Sequence, residues 1–351
     1  MIVDWFYPSN AMEDDPLIYI RTRGADGILH ERVIGPEDKG YMTPFCWVPR
    51  NLNERSIQRI MRRYPGTVFH PNERAEGIDG TSLMKLSTPK PGNLWDIKDE
   101  LNSTYEADLN FNDCYIIENY PEGIPEFHPR IWYFDLEWDP REDFTTVMAV
   151  VDNQDEHPHV FAWKEDRAPK DVWVEREGGY MLHLCADEHS MHDAFLNYLE
   201  DGYDDTAQPI KGRIVYDSAA RGMTGSGFES IWQKSGRGQM SSRKLDWVAQ
   251  KLELGEKLTN RVEGMTVHNG WYDYFDEFVD YCLVDTTLLR DIDQKLHATE
   301  FHVAMMKLCG VNFGSTFRVT RYFRGLIARR THHKAPSSRA QSREDLQAAY
   351  I

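Results

Sequence analysis

Cysteine is sparse in this sequence, and what there is does not cluster. Cys46, Cys114, Cys185, Cys282 and Cys309 are scattered over 351 positions with no C-x-x-C pair. That spacing excludes a zinc ribbon or a disulfide framework and suits reduced thiols in a cytoplasmic compartment. Long apolar runs are missing as well. No stretch approaches the ~18 residues of a membrane span, so no membrane partner is expected. The first residues, MIVDWFYPSN, have neither a basic segment nor an apolar core, so no signal peptide is expected. Net positive charge is absent too: 40 Lys and Arg face 57 Asp and Glu, a formal charge of −17. Global attraction therefore cannot hold a polyanion, and any nucleic-acid contact must come from a local basic patch. Neither G-x-G-x-x-G nor a P-loop occurs, and G-x-S-x-G and H-E-x-x-H are also absent. The common nucleotide cradles, serine-hydrolase elbows and zinc-protease helices are thereby excluded.

What is there is globular material, 41% hydrophobic and 12% aromatic, long enough for about two domains with real cores. The most informative stretch is Ile131–Pro140, IWYFDLEWDP. Its nearly unbroken apolar and aromatic run predicts a strand buried on both faces. Asp135 and Glu137 lie inside it. Residues two apart on a strand share a face, so the two carboxylates project side by side. Buried like charges are costly unless a cation joins them, and a hard divalent metal is the economical partner. The competing reading is an edge strand with two solvated acids.

Before this stretch the chain reads as β-rich. Strands are expected at Leu17–Thr22, Ile28–Ile34 and Tyr41–Val48, with a turn at Gly24–Gly27. A short helix at Ser56–Arg63, stopped by Pro65-Gly66, carries Arg55, Arg59, Arg62 and Arg63; it is either a solvated face or a DNA contact. Thr88–Gly92 reads as a loop and Leu94–Leu101 as a helix, and Thr104–Glu118 as a connecting strand into a second domain. After it, strands at Arg130–Trp138, Thr145–Asp152, Pro158–Lys164 and Tyr180–Ala186, joined by short charged loops, predict antiparallel neighbours. Ser190, with Asp193 three residues on, opens an amphipathic helix. Asp201–Gln208 is polar and loop-like, Lys211–Tyr216 strand-like with Asp217 at its end, and Ala219–Met240 reads as a Gly/Ser-rich exposed loop or hairpin. Ser241–Glu253 is a helix stopped by Gly255.

Tyr274–Ala298 is the longest helical pattern, with Tyr281 and Asp285 one turn apart on one face. Spacing alone leaves open whether Asp285 is one more solvated acid beside Asp276, Asp280, Asp291 and Asp293. Further helices cover 300–330, where Arg318, Arg321, Arg324, Arg329 and Arg330 interleave with Tyr322 and Phe323. That pattern suits a phosphate backbone or a solvated face. Pro336–Ser342 reads as a flexible link.

Taken in order, these segments resemble the N-terminal half of a family B (alpha-like) DNA polymerase over essentially the whole chain. LIYIRTRGADGILHERV and YMTPFCWVP are similar to that family's β-rich N-terminal domain, and TYEADLNFNDCYIIE to the lead-in to its proofreading domain. YFDLEW resembles the first exonuclease motif, D-x-E, and YCLVD the third, Y-x-x-x-D. RKLDWVAQKLELGEK resembles the segment preceding the third motif, Gly310–Arg330 the return to the N-terminal domain, and QAAYI the first residues of the palm.

The resemblance implies an α/β (α+β) fold in which a ribonuclease H-like exonuclease domain is inserted into a β-rich N-terminal domain. The implied divisions are 1–105 (N-terminal), 106–299 (exonuclease), 300–345 (helical return) and 346–351 (start of a palm). It implies 3′–5′ hydrolysis of DNA ends with two Mg²⁺ or Mn²⁺ ions. Asp135 would bridge both ions, Glu137 and Asp285 would complete one, and Tyr281 would orient the attacking water. The implied partner is DNA, as a single-stranded 3′ end or a primer-template.

Two departures accompany the match. The family's second exonuclease motif has no N-x-x-x-F-D counterpart here; DGYDD passes straight to TAQPIKGRIVYD, as if one strand–helix unit were missing. Asp201, Asp204 or Asp205 is the available stand-in. The polymerase motifs D-x-x-S-L-Y-P, K-x-x-x-N-S-x-Y-G and D-T-D are also absent. The expectation is therefore either a fragment or one subunit of a split polymerase, whose partner is a second chain carrying palm, fingers and thumb. Two functions follow: a proofreading exonuclease, or a nuclease-silent DNA-binding scaffold that docks the palm chain.

Overall fold

A computed structural model describes residues 2–6, 16–23, 29–101, 103–124, 129–139, 141–164, 166, 172–176, 179–199, 228–255, 262–266, 268–330 and 334–335. The expected turn at Gly24–Gly27, the stretches Asp201–Gln208 and Lys211–Tyr216 with Asp217, the link Pro336–Ser342 and residues 346–351 lie outside the described residues. The class is mixed, with helices and, among the described residues, three sheets. The chain forms two compact units. The first takes Met1–Phe127, Met223–Ser226 and His302–Ile351, the second His128–Gly222 and Gly227–Phe301. Among the described residues no helix is long and apolar enough to cross a bilayer.

The first unit begins with an antiparallel sheet of β1 (Ile2–Phe6), β2 (Ile18–Arg23) and β3 (Leu29–Ile34). β4 (Phe45–Pro49) follows, shorter than expected, then α1 (Glu54–Arg63). Asn53 caps α1 by accepting the Ser56 N–H at 2.8 Å. Pro65-Gly66 ends it, Gly66 having φ +83°. β5 (Val68–Gly77) and β6 (Ser82–Ser87) form a hairpin that the sequence reading did not anticipate. Gly80 takes φ +82° at its tip, and Asp79 accepts the Thr81 N–H and the Tyr105 hydroxyl. α2 (Pro91–Leu101) starts on a proline, whose missing N–H costs nothing at a helix start.

Thr104–Glu118 is not a connecting strand. It ends in α3 (Phe111–Asn119), with every residue from Phe111 to Ile117 buried. A helix buried all round shows no polar stripe, so periodicity cannot separate it from a buried strand. Phe111, Tyr115 and Ile116 share a core with Ile18, Ile20 and Ile34 of the first sheet. This keeps α3 in the first unit.

The second unit is built on a five-stranded sheet. Its strands are β7 (Trp132–Asp139), β8 (Phe144–Asp152), β9 (His159–Trp163), β10 (Val172–Arg176) and β11 (Tyr180–Cys185). The order is β10-β11-β9-β8-β7. β7, β8 and β9 pair antiparallel as expected, but β11 runs parallel to β9. The extra strand β10 reverses the chain once more, so β11 returns in the direction of β9.

β7 is not buried on both faces. It stands at an edge of the described sheet, with Phe134, Leu136 and Trp138 exposed at 44%, 49% and 50%. α4 (Glu188–Leu199) covers β11, β9 and β8 on one face, and β7 lies beyond its main footprint. α4 begins two residues before Ser190. The cap is Asp187, whose carboxylate accepts the Ser190 N–H at 2.7 Å while Ser190 Oγ accepts the Asp187 N–H at 3.1 Å.

The described part of the Gly/Ser-rich stretch is helical rather than a loop. It forms α5 (Phe228–Trp232), continued by a π-turn at Gln233–Arg237, and buries Trp232. α6 (Leu245–Lys251) and the one-turn α7 (Gly270–Asp273) lead to α8 (Phe275–Leu296). His297, at φ +52°, ends α8.

α9 (Ala298–Cys309) carries the chain back into the first unit. A 3-10 turn at Phe313–Phe317, α10 (Val319–Arg330) and β12 (Lys334–Ala335) follow, β12 pairing with β5 in the order β12-β5-β6-β4.

Candidate metal centre

Asp135 and Glu137 alternate with the exposed Phe134, Leu136 and Trp138, so they occupy the opposite face of β7. That face meets α8. The helix sits close because the residues beneath it are small or β-branched. Val147, Ala149, Val160 and Ala162 pack against Phe278, Val279 and Cys282. Two polar contacts fix the register. The Tyr133 hydroxyl donates to Asp293 Oδ2 at 2.7 Å, and the Cys282 thiol lies 3.8 Å from the Asp135 carbonyl oxygen. Asp293 is held in turn by the Thr299 N–H and hydroxyl, at 2.8 and 3.0 Å.

This register brings Asp285 to the paired acids of β7. Carboxylate oxygens of Asp135, Glu137 and Asp285 lie within 4.8 Å of one another. Asp285 is 2% exposed, and the two strand acids are half-buried. Asp285 is thus not one of the solvated acids of its helix. Three carboxylates this close and this sheltered repel one another unless protons or cations intervene. An all-oxygen donor set favours a hard divalent ion, with ligand distances of ~2.0–2.6 Å for Mg²⁺ or Ca²⁺. The spacing and chemistry of the three residues fit such an ion.

Tyr281 is buried one turn before Asp285, its ring stacked on Phe278 with centroids 5.8 Å apart. Burial first, then the charges of Asp285 and Glu137, push its phenol far above the usual tyrosine range, and Asp285 takes a hydrogen bond from it. Tyr281 therefore stays a neutral donor. The Cys282 thiol is likewise pushed up, by burial and then by the three carboxylates.

The next acid along the strand, Asp139, is committed elsewhere. Its carboxylate accepts from Arg141 at 2.8 Å (N–H), 3.2 Å (Nε) and 2.9 Å (Nη2), and from the Tyr272 hydroxyl at 2.8 Å. These bonds, Arg141 first, hold it well below the ordinary carboxylate range. In the sequence this cluster is marked by no more than the Asp-Pro-Arg that closes the strand.

The five arginines of the last helical segment do not act alike. Arg329 is buried and donates to the carbonyls of Lys307 (2.5 Å), Leu308 (3.3 Å) and Tyr120 (2.6 Å), tying off the end of α9. Arg324 pairs with Asp108 at 2.8 Å. Arg318 and Arg330 are exposed and Arg321 is half-buried. The stand-in acids Asp201, Asp204 and Asp205 lie outside the described residues.

Compared with known proteins, the chain matches no family model and no curated protein.

Proposed function

We propose that this chain is the N-terminal and proofreading part of a family B DNA polymerase, a metal-dependent 3′–5′ exonuclease acting on single-stranded or frayed DNA ends. The observation that carries the reading is the meeting of Asp135 and Glu137 with Asp285 from a helix almost 150 residues away, with carboxylate oxygens within 4.8 Å. D-x-E and Y-x-x-x-D are the two exonuclease motifs within the resemblance, and both contribute to that one cluster. The strand acids and Asp285 would hold Mg²⁺ or Mn²⁺. A metal pair supplies an activated water and neutralises the leaving oxygen in phosphodiester hydrolysis. The protein's own part is to fix three carboxylates on rigid elements and to keep Tyr281 protonated beside Asp285, where its hydroxyl would orient the reacting water. On this reading the second unit is the ribonuclease H-like domain, set into the N-terminal domain formed by the first.

The absence of N-x-x-x-F-D favours a second reading. Lacking one ligand, the centre would bind metal weakly, and the chain would serve as a DNA-binding scaffold for a separate palm, fingers and thumb chain. One experiment separates the two. End-labelled single-stranded DNA is incubated with the chain in Mg²⁺ or Mn²⁺, beside Asp135→Ala. Shortening by the parent, reduced by at least ~10²-fold in the variant, is expected of the exonuclease. Shortening no faster than the variant supports the scaffold. A thermal melt adds a readout independent of turnover: the same ions should raise the melting temperature of the parent and not of Asp285→Asn. No ion-dependent rise in the parent would dispose of the metal centre itself.

A further inference from the structure

The densest positive charge in this acidic chain sits on one short helix, α1. Arg55, Arg59, Arg62 and Arg63 are all exposed there. The inner side of α1 is anchored by Ile60, fully buried in a core with Val48, Leu86 and Ile97. Positions 55, 59 and 62–63 fall one turn apart, so the arginine side chains leave the helix about every 5.4 Å along one face. Two acids touch this face. Glu54 is engaged by the Gln58 amide at 2.8 Å. Glu100 of α2 holds Arg59 at 3.8 Å and Arg63 at 2.5 Å, and accepts the Tyr64 hydroxyl at 3.1 Å. Among the described residues no carboxylate lies within ion-pair distance of Arg55 or Arg62.

We propose that this face of α1 is a docking surface for the phosphodiester backbone of single-stranded nucleic acid. Guanidinium forks match phosphate oxygens two at a time, and a rigid helix presents them without further ordering. A polynucleotide carries one negative charge at every residue, so it meets evenly spaced arginines in any register. An acidic peptide must place its carboxylates to match. A duplex carries a charge every ~1.7 Å of axis, and a protein of net charge −17 repels it more than a flexible single strand. The surface belongs to the first unit and the acid cluster to the second, so this inference stands apart from the exonuclease reading.

The test uses the full chain and a fluorescein-labelled dT 20-mer in EDTA, followed by anisotropy over a KCl series. Each phosphate contact contributes about 0.7 to the slope of log K against log[salt] for a single strand. Arg55→Gln/Arg62→Gln should therefore flatten the slope by about 1.4 and weaken binding about 25-fold at 0.1 M salt. Both side chains are solvent-exposed, and an unchanged circular-dichroism melt confirms that the variant folds. A variant with the parental slope and affinity overturns the proposal, and does so alone if metal-dependent shortening of DNA persists. Tighter arginine-dependent binding of poly-glutamate than of the 20-mer would reassign the surface to an acidic protein. Tighter binding of the matching duplex would reject the single-strand assignment.

Discussion

At the scale of single residues, burial decides what each acid does. Asp285 and Asp293 lie on one helix, yet Asp285 joins the carboxylate cluster while Asp293 accepts from Tyr133 and Thr299. Asp135 and Glu137 could be singled out in the sequence because a strand's two-residue period puts them on one face. Spacing alone could not single out Asp285, because it relates that acid to Tyr281 without saying which face meets the sheet; the resemblance of YCLVD to Y-x-x-x-D is what names it. Glu106 carries a consequence of its own. Its carboxyl is pushed up to about 7, by burial first and then by Glu118 and Asp108, against the hydrogen bond from Trp47 Nε1. The unfolded value is about 4.3. A pKa raised on folding contributes stability that is complete below the unfolded value and is lost as pH rises through the folded one. Glu106→Gln keeps the acceptor for Trp47 without the charge. The variant should match the parent near pH 4 and exceed it by up to about 3 kcal/mol at pH 8. Denaturant melts of both proteins from pH 4 to 8 measure the difference, and a gap independent of pH would refute it.

At the scale of elements, strong local patterns were legible and their surroundings were not. α8 was expected at Tyr274–Ala298 and spans Phe275–Leu296, because an apolar stripe this long has one helical reading. β7 was placed correctly but its setting was not. An apolar run looks the same whether a layer covers it or leaves Phe134, Leu136 and Trp138 exposed. The sequence of α3 reads as a strand for the converse reason, since full burial erases the polar face that marks a helix. Close approach of elements also yields a prediction. A Cβ on Gly325 of α10 would lie 2.5 Å from the carbonyl oxygen of Cys309 and 2.5 Å from Val311 Cγ1. Backbone at the end of α9 cannot swing aside as a side chain can. Gly325→Ala should therefore destabilise the protein by about 1–3 kcal/mol despite alanine's better helix propensity. An unchanged or raised melting temperature would show that the two helices have room to separate.

At the scale of the whole molecule, the chain divides into two units, the first assembled from segments distant in sequence. Its return segment spends Arg329 on the carbonyls that end α9 and Arg324 on Asp108, leaving Arg318 and Arg330 as the exposed charges of that stretch. A count of arginines could not apportion these roles, because each depends on what the fold brings beside it. The polymerase motifs absent from the sequence give the prediction that belongs to this scale. Primer-template mixed with this chain and nucleotides should show no extension in Mg²⁺ or Mn²⁺, whatever the fate of the 3′ end. Extension that co-purifies with the chain and survives Asp135→Ala would show that this polypeptide has a polymerase site of its own.

The sequence by itself determined what depends on neighbours along the chain. Those are the pairing of Asp135 with Glu137 on one side of a strand, the approximate length of α8 and the end of α1. The tertiary structure decided what depends on neighbours in space: that β11 runs parallel to β9, that α3 is helical, and that Asp285 is the acid that completes the cluster. Dihedral periodicity is written in adjacent residues. The meeting of a strand with a helix almost 150 residues later depends on small side chains such as Ala149 and Ala162, which let the two backbones approach and which no local pattern marks.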